Sequence, residues 1–163
     1  MNLQKYTFLI MMPILLFFVG FGCQKQQKTT NEVASIGTTP SAKEPMADNC
    51  SLCGMATQDH PKWRVQAFFG KRSQSFCSPK CLFLYQHNQH IAADSAWAMD
   101  YYDVKLFNAT EGFFVTGSDV LGPMGHDFVP FSGAEAAQEF AQDHAGKQIV
   151  PFGKVDSLVI FGL

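Results

Sequence analysis

Between residues 24 and 48 the chain has no aromatic residue and is rich in Gln, Lys, Thr and Ser, with Pro40 and Pro45 near its end. Such a stretch buries too little apolar surface to offset the entropy lost on ordering, so it reads as a disordered tether. As a flexible coil of ~25 residues it reaches roughly 25–30 Å. Whatever folds must therefore fit into about Cys50 to Leu163, enough for one small domain. Ahead of the tether, Lys5 precedes an apolar run from Phe8 to Gly22 that ends in small residues before Cys23. That run is short for a membrane span and reads as a secretory signal. Gly22-Cys23 is similar to a bacterial lipoprotein processing site, with Gly20 where Leu is usual, and a plain signal peptide with an incidental cysteine is the alternative. With lipidation, Cys23 becomes the acylated first residue of the mature chain, and two or more acyl chains anchor it stably. The expected division is a signal peptide over 1–22, a lipid-anchored tether over 23–49 and a folded domain over 50–163.

The net charge is −2 with acids and bases scattered, so no basic footprint for nucleic acid exists. Sixteen phenylalanines allow a compact aromatic core. Trp63 to Phe69 and Ser73 to Cys77 read as a hairpin about Gly70-Lys71. Pro79 then opens a helix with Ser78 as its N-cap, and the helix ends near His90. A second strand pair is expected near Ala98 to Phe107 and Gly112 to Gly117, turning through Asn108 to Glu111. Phe128 to Phe131 reads as extended. Ala134 to His144 is the clearest helix, with Ala136, Ala137, Phe140 and Ala141 on one stripe and Gly146 beyond its end. Gln148 to Phe152 and Leu158 to Phe161 read as closing strands. Phe76 before the first helix corresponds to Phe131 before the second, so the pattern predicts an α+β domain of two packed ββα-type units.

Three clusters carry chemistry. Cys50-Ser51-Leu52-Cys53-Gly54-Met55 places two thiols and a thioether within six residues. Soft sulfur ligands of this kind suit Cu(I) over oxygen-loving cations. In an extended segment Cys53 and Met55 point to the same side, so both can approach one ion. A structural disulfide or a redox pair is the alternative, although no strand leads into Cys50 as a thioredoxin-like context requires. Met124-Gly125-His126-Asp127 lies on a Gly/Pro-rich loop, where Met124 can join His126 if the loop is extended or Asp127 if it turns. Solvated loop residues are the bland reading. Cys77 and Cys81 bracket a helix start, where the positive dipole end favours thiolate. The pair reads as a second metal site, a disulfide or a buried structural pair. Combined with the first cluster the spacing is C-x2-C-x23-C-x3-C, which can furnish a four-thiolate zinc site and resembles the YHS and TRASH metal-binding domains. His60, His87, His90 and His144 sit at loops and helix ends that favour histidine without any metal.

The chain also resembles the NosL family, copper-binding lipoproteins that assist maturation of nitrous oxide reductase. The resemblance rests on Cys23, on Cys50-x-x-Cys53-Gly54-Met55, and on Asp59-His60-Pro61. It rests further on Gly117-Ser118-Asp119, Gly122-Pro123-Met124-Gly125, Val129-Pro130-Phe131 and His144-Ala145-Gly146. Where the family has Met-Gly-x-Glu this chain has Met124-Gly125-His126-Asp127, with a shorter carboxylate, and the Cys77/Cys81 pair is not general to the family. The resemblance implies a paired ββα architecture similar to the organomercurial lyase fold. It implies Cu(I) held by Cys53, Met55 and Met124 with Asp127 or His126, and with Cys50 as an additional ligand. It also implies a periplasm-facing lipoprotein of the cell envelope, in the outer membrane, that is a carrier and not an enzyme. Its partners would be an ABC-type membrane transporter and the nitrous oxide reductase assembly proteins. The competing readings are a zinc- or copper-binding YHS/TRASH-like module for metal sensing or partner binding, and a periplasmic thiol oxidoreductase.

Overall fold

The structure is a computed structural model that describes residues 46–163. The expected signal peptide, Cys23 and most of the tether lie outside the described residues. The domain's contacts begin ahead of Cys50. The Ala47 amide donates to the Ser75 hydroxyl at 2.8 Å, and Thr57 donates its amide to the Asp48 carbonyl at 2.7 Å. Among the described residues no helix is long and apolar enough to cross a membrane.

The domain is α+β and is built from the same unit twice. Strand β1 (Val65–Phe69) turns at Gly70-Lys71 into β2 (Arg72–Phe76), helix α1 (Pro79–Gln89) follows, and β3 (Ser95–Met99) returns to pair with β1. In the second unit β5 (Phe113–Thr116) pairs with β6 (Val129–Phe131), helix α2 (Ala134–Asp143) follows, and β7 (Gln148–Pro151) returns to pair with β5. The two sheets have the orders β2-β1-β3-β4 and β6-β5-β7, so the repeat is ββαβ, with β4 (Leu106–Asn108) as an extra edge strand. All pairings are antiparallel, which lets each helix cover one sheet face.

Two expected elements differ. The strands near Ala98–Phe107 and Gly112–Gly117 do not pair through an Asn108–Glu111 turn. The chain instead reverses inside the first of them, and β3 pairs with β4, Met99 facing Leu106. The cause is Asp100, whose Oδ1 accepts the Tyr102 and Asp103 amides at 3.0 and 3.1 Å, closing an Asx-type turn before Val104. Ala109–Glu111 becomes a 3-10 turn that carries the chain into the other sheet. Leu158–Phe161 is not a strand but part of a short helix, α3 (Ser157–Phe161), because the Asp156 carboxylate accepts the Val159 amide as an N-cap.

Aromatic contacts join the units. Phe83 of α1 meets Phe114, Phe128 and Phe152 at centroid separations of 5.3, 4.8 and 5.3 Å. Around it lie Val65, Ala67, Phe76, Leu82, Ala96 and Ala98 of the first unit, all buried. A second cluster packs Ala137 and Phe140 of α2 on Val115, Val129 and Phe131, with Trp63 beside them. Ala136 and Ala141 flank this cluster half-buried, so the stripe of α2 faces its sheet.

Candidate metal centre

The first half of the centre is a tight loop. Cys50 donates its amide to the Met55 carbonyl at 2.8 Å and accepts the Gly54 amide at 2.9 Å. Gly54 takes φ +76°, a conformation that side chains with a Cβ adopt only under strain. The Ser51 amide donates to the Ser75 carbonyl at 2.8 Å, which pins the loop to the end of β2. The next residues along β2 deliver the second half. Cys77 follows the strand, and Cys81 occupies the first turn of α1.

The four sulfur atoms of Cys50, Cys53, Cys77 and Cys81 all lie within 4.8 Å of one another, and all four are free thiols. Sγ of Cys77 is 3.6 Å from that of Cys53 and 3.5 Å from that of Cys81, and Cys81 is 3.9 Å from Cys53. Metal–thiolate bonds of about 2.3 Å in a tetrahedron put sulfurs roughly 3.8 Å apart. The cluster is therefore already spaced to hold an ion. Cys50, Cys77 and Cys81 are buried, whereas Cys53 is exposed and forms the mouth. The pair expected as a separate second site, Cys77 and Cys81, thus shares one cluster with Cys50 and Cys53.

Crowding sets the proton distribution. Hydrogen bonds from Cys77 and then Cys81 hold the Cys50 thiol well below its ordinary range, against burial. Hydrogen bonding to Cys50 pushes Cys77 and Cys81 well above that range, and burial adds to it. The cluster favours one thiolate and keeps two buried protons until a cation takes their place.

A thioether completes the mouth from the other unit. Gly122 and Gly125 exchange amide–carbonyl hydrogen bonds of 2.8 and 3.2 Å, closing a turn with Pro123 and Met124 at its tip. Gly125 has φ +84°. Sδ of Met124 lies 3.5 Å from Sγ of Cys81, and the side chain is 44 % exposed. The loop geometry that places Met124 there does not bring its neighbours along. His126 is exposed, and lines a different cleft with Thr116, Lys147 and Gln148. Asp127 is buried and directed at α1, where its Oδ1 accepts the Lys80 amide at 2.9 Å and the Phe128 amide at 2.8 Å. Burial pushes its carboxyl up to about 6, opposed by Ser78 and by the Phe128 and Lys80 amides. Met55, the expected companion of Cys53, is half-buried and packs against the larger apolar cluster.

The other histidines have local roles. His144 contacts Asp119 at 3.0 Å and stacks on Phe140, and His87 meets the edge of Phe161. Sequence reasoning missed the role of Asp127. No local signal pointed to it: Ser78 offers an ordinary N-cap, and the missing capping-box Glu at Cys81 bears on the Ser78 amide and not on that of Lys80. Ser78 accepts no capping hydrogen bond, and the carboxylate arrives from 47 residues away.

A chain with a curated description, the copper-binding lipoprotein NosL of Stutzerimonas stutzeri, is 24 % identical to this one over 161 residues, which is 92 % of this chain and 80 % of that protein. The fold is similar to the crystal structure of the copper chaperone NosL from Shewanella denitrificans, with a TM-score of 0.64 and 22 % identity over 73 % of this chain and 98 % of that one. The family model described as NosL matches residues 43–160, most of the sequence and the whole sulfur cluster, and this chain belongs to the NosL family.

Proposed function

We propose that this protein is a lipid-anchored Cu(I) carrier of the cell envelope, facing the periplasm from the outer membrane, that supplies copper for assembly of nitrous oxide reductase. Its proposed partners are an ABC-type membrane transporter and the reductase's assembly proteins. One observation carries the choice of copper: a thioether, Met124 Sδ, stands 3.5 Å from Cys81 at the exposed edge of a thiol cluster. Thioether and thiolate together select soft monovalent copper, whereas a hard cation gains nothing from the sulfur of methionine. Family membership and the copper-binding relative support the same reading.

The proposed ligands are Cys50, Cys53, Cys77 and Cys81 with Met124. No bond of a substrate is made or broken, so the protein works as a carrier and not as an enzyme. Delivery proceeds by ligand exchange at the mouth. A partner's soft ligand adds beside exposed Cys53 and Met124, and the buried thiols let go in turn. Met124 eases the exchange because its affinity needs no deprotonation.

The test is an anaerobic titration of the full chain with Cu(I) against a chromophoric chelator. One tightly bound Cu(I), lost on Cys77→Ser with Cys81→Ser and transferable to the reductase assembly system, is the expected result. Indifference to Cu(I) would end the proposal. A second reading, a zinc-holding module, is favoured by the near-equal sulfur spacings of 3.5, 3.6 and 3.9 Å. Purification with one zinc ion that excess Cu(I) fails to displace would select it.

A further inference from the structure

The loop that carries Met124 is hydrogen-bonded to the start of α1 through a buried carboxylate and the lysine beside it. Asp127 Oδ1 accepts the Lys80 amide, one residue before Cys81, at 2.9 Å. Lys80 closes the contact from its other end, donating from Nζ to the His126 carbonyl at 2.9 Å. On its far side the Asp127 side chain rests on Gly122. A Cβ placed on Gly122 would stand 2.7 Å from Asp127 Cβ and 2.8 Å from Oδ2. Gly122 in turn is hydrogen-bonded across the turn to Gly125, and Met124 at the turn's tip returns to Cys81. The contacts close a ring: Cys81, Lys80, Asp127, Gly122, Met124 and back to Cys81.

From this ring we infer that Asp127 is a positioning residue that cross-links the start of α1 to the Met124 turn, and that it sets the thioether against Cys81 without itself ligating the metal. The inference rests on the sulfur cluster as the metal site, and adds what aligns its fifth sulfur. Its Oδ1 is committed to two amides, its Oδ2 lies buried against Gly122, and among the described residues the groups gathered to hold an ion are the four cysteines without this carboxylate. Turning toward a metal would strip the Lys80 and Phe128 amides of their acceptor in a buried place, where unmade hydrogen bonds are costly. Asparagine keeps a side-chain carbonyl for the same amides and removes only the charge, so it separates positioning from ligation.

Two readouts on the full chain test this. In the metal-free protein the 13C methyl resonance of Met124 reports where the thioether sits. Asp127→Asn is expected to leave it in place, and Asp127→Ala to move it. Gly122→Ala is expected to move it too, by pushing the turn off an intact carboxylate, and it serves if the alanine variant at 127 does not fold. With Cu(I) bound, Asp127→Ala is expected to weaken affinity about 10–100-fold, as a lost supporting contact does. Combined with Met124→Ala it should cost nothing further, and Asp127→Asn should keep wild-type affinity and an all-sulfur X-ray absorption spectrum. An oxygen scatterer present in the wild type and absent in Asp127→Asn would overturn the inference. So would a Met124 resonance that stays put in both Asp127→Ala and Gly122→Ala. A wild type that ignores Cu(I) would refute the copper reading alone, because the methyl readout needs no metal.

Discussion

Replacing Asp127 with Asn should stabilise the metal-free protein at neutral pH and lose that advantage in acid. The carboxyl is pushed from 3.8 up to about 6 by burial. With the folded value above the unfolded one, the native state holds the proton more tightly between those two pH values. Its contribution to stability is therefore full below about pH 3.8, falls as pH rises through about 6, and stays lost above. The gap between 3.8 and about 6 corresponds to about 3 kcal/mol. Asparagine has no such dependence, so its stability relative to wild type should climb by about that amount from pH 4 to pH 7.5. For a domain of this size that equals roughly 10 °C in Tm. Urea unfolding of both proteins under reducing conditions at the two pH values reads it directly. Asp100 supplies an internal contrast of opposite sign. Burial alone would raise its carboxyl, but hydrogen bonds from Ser132, Asp103 and Tyr102 outweigh that and hold it below the ordinary range. Its stabilisation is present at neutral pH and lost as pH falls through the lowered value, so Asp100→Asn should be most costly at neutral pH. Parallel stability curves for wild type and Asp127→Asn would refute the reasoning about burial.

Loss of any one buried thiol, tested as Cys50→Ser, Cys77→Ser or Cys81→Ser, should weaken Cu(I) binding beyond the roughly 10–100-fold expected of a supporting contact, measured by chelator competition. Because Cys77 and Cys81 titrate above the ordinary thiol range, both are protonated at neutral pH and a bound metal displaces both protons. Apparent affinity should then fall by at least roughly a hundredfold per pH unit of acidification, and calorimetry in buffers of different ionisation enthalpy should count at least two protons released. Phe83→Ala should cost about 3–5 kcal/mol and melt both sheets in one transition, since that ring packs on Phe114, Phe128 and Phe152. Gly125→Ala should destabilise the domain by roughly 1–2 kcal/mol through its left-handed backbone, seen in the urea midpoint.

The repeat was legible because each unit is announced locally: a hairpin about Gly70-Lys71, Pro79 at a helix start, the alanine stripe of α2. Errors fell where a side chain from elsewhere in sequence, or a short polar one, decided the backbone. Nothing in the periodicity of Ala98 to Phe107 says that Asp100 will fold the chain back on itself. That carboxylate is held in place from the other unit, its Oδ2 accepting the Ser132 amide and hydroxyl, each at 2.8 Å. Likewise Leu158–Phe161 reads as a strand until Asp156 caps it. At the site, the residue types were legible and their grouping was not. The spacing of the four cysteines allowed one cluster or two, and the hydrogen bonds of Ser51 and Ala47 to Ser75, which lay the Cys50 loop beside the end of β2, decide between them.

A comparison of the two buried aspartates also shows why one helix start carries a thiol cluster and the other does not. In each unit a strand ends in Phe and a helix begins within three residues, at Phe76-Cys77-Ser78-Pro79 and at Phe131-Ser132-Gly133-Ala134. Each start is tied by an aspartate from the opposite unit, Asp127 to Lys80 and Asp100 to Ser132. The scaffold is the same; the difference is what fills the junction. At α2 the hydroxyl of Ser132 is spent on Asp100, and the junction is closed. At α1 the equivalent residue is Cys77, whose sulfur stays free to face Cys53 and Cys81. The thiols all belong to the first unit and its leading loop, whereas Met124 comes from the second. Because the thioether alone comes from the second unit, the proposed function implies that it is the first sulfur to be withdrawn when a partner's soft ligand adds at the mouth, leaving the thiol cluster intact.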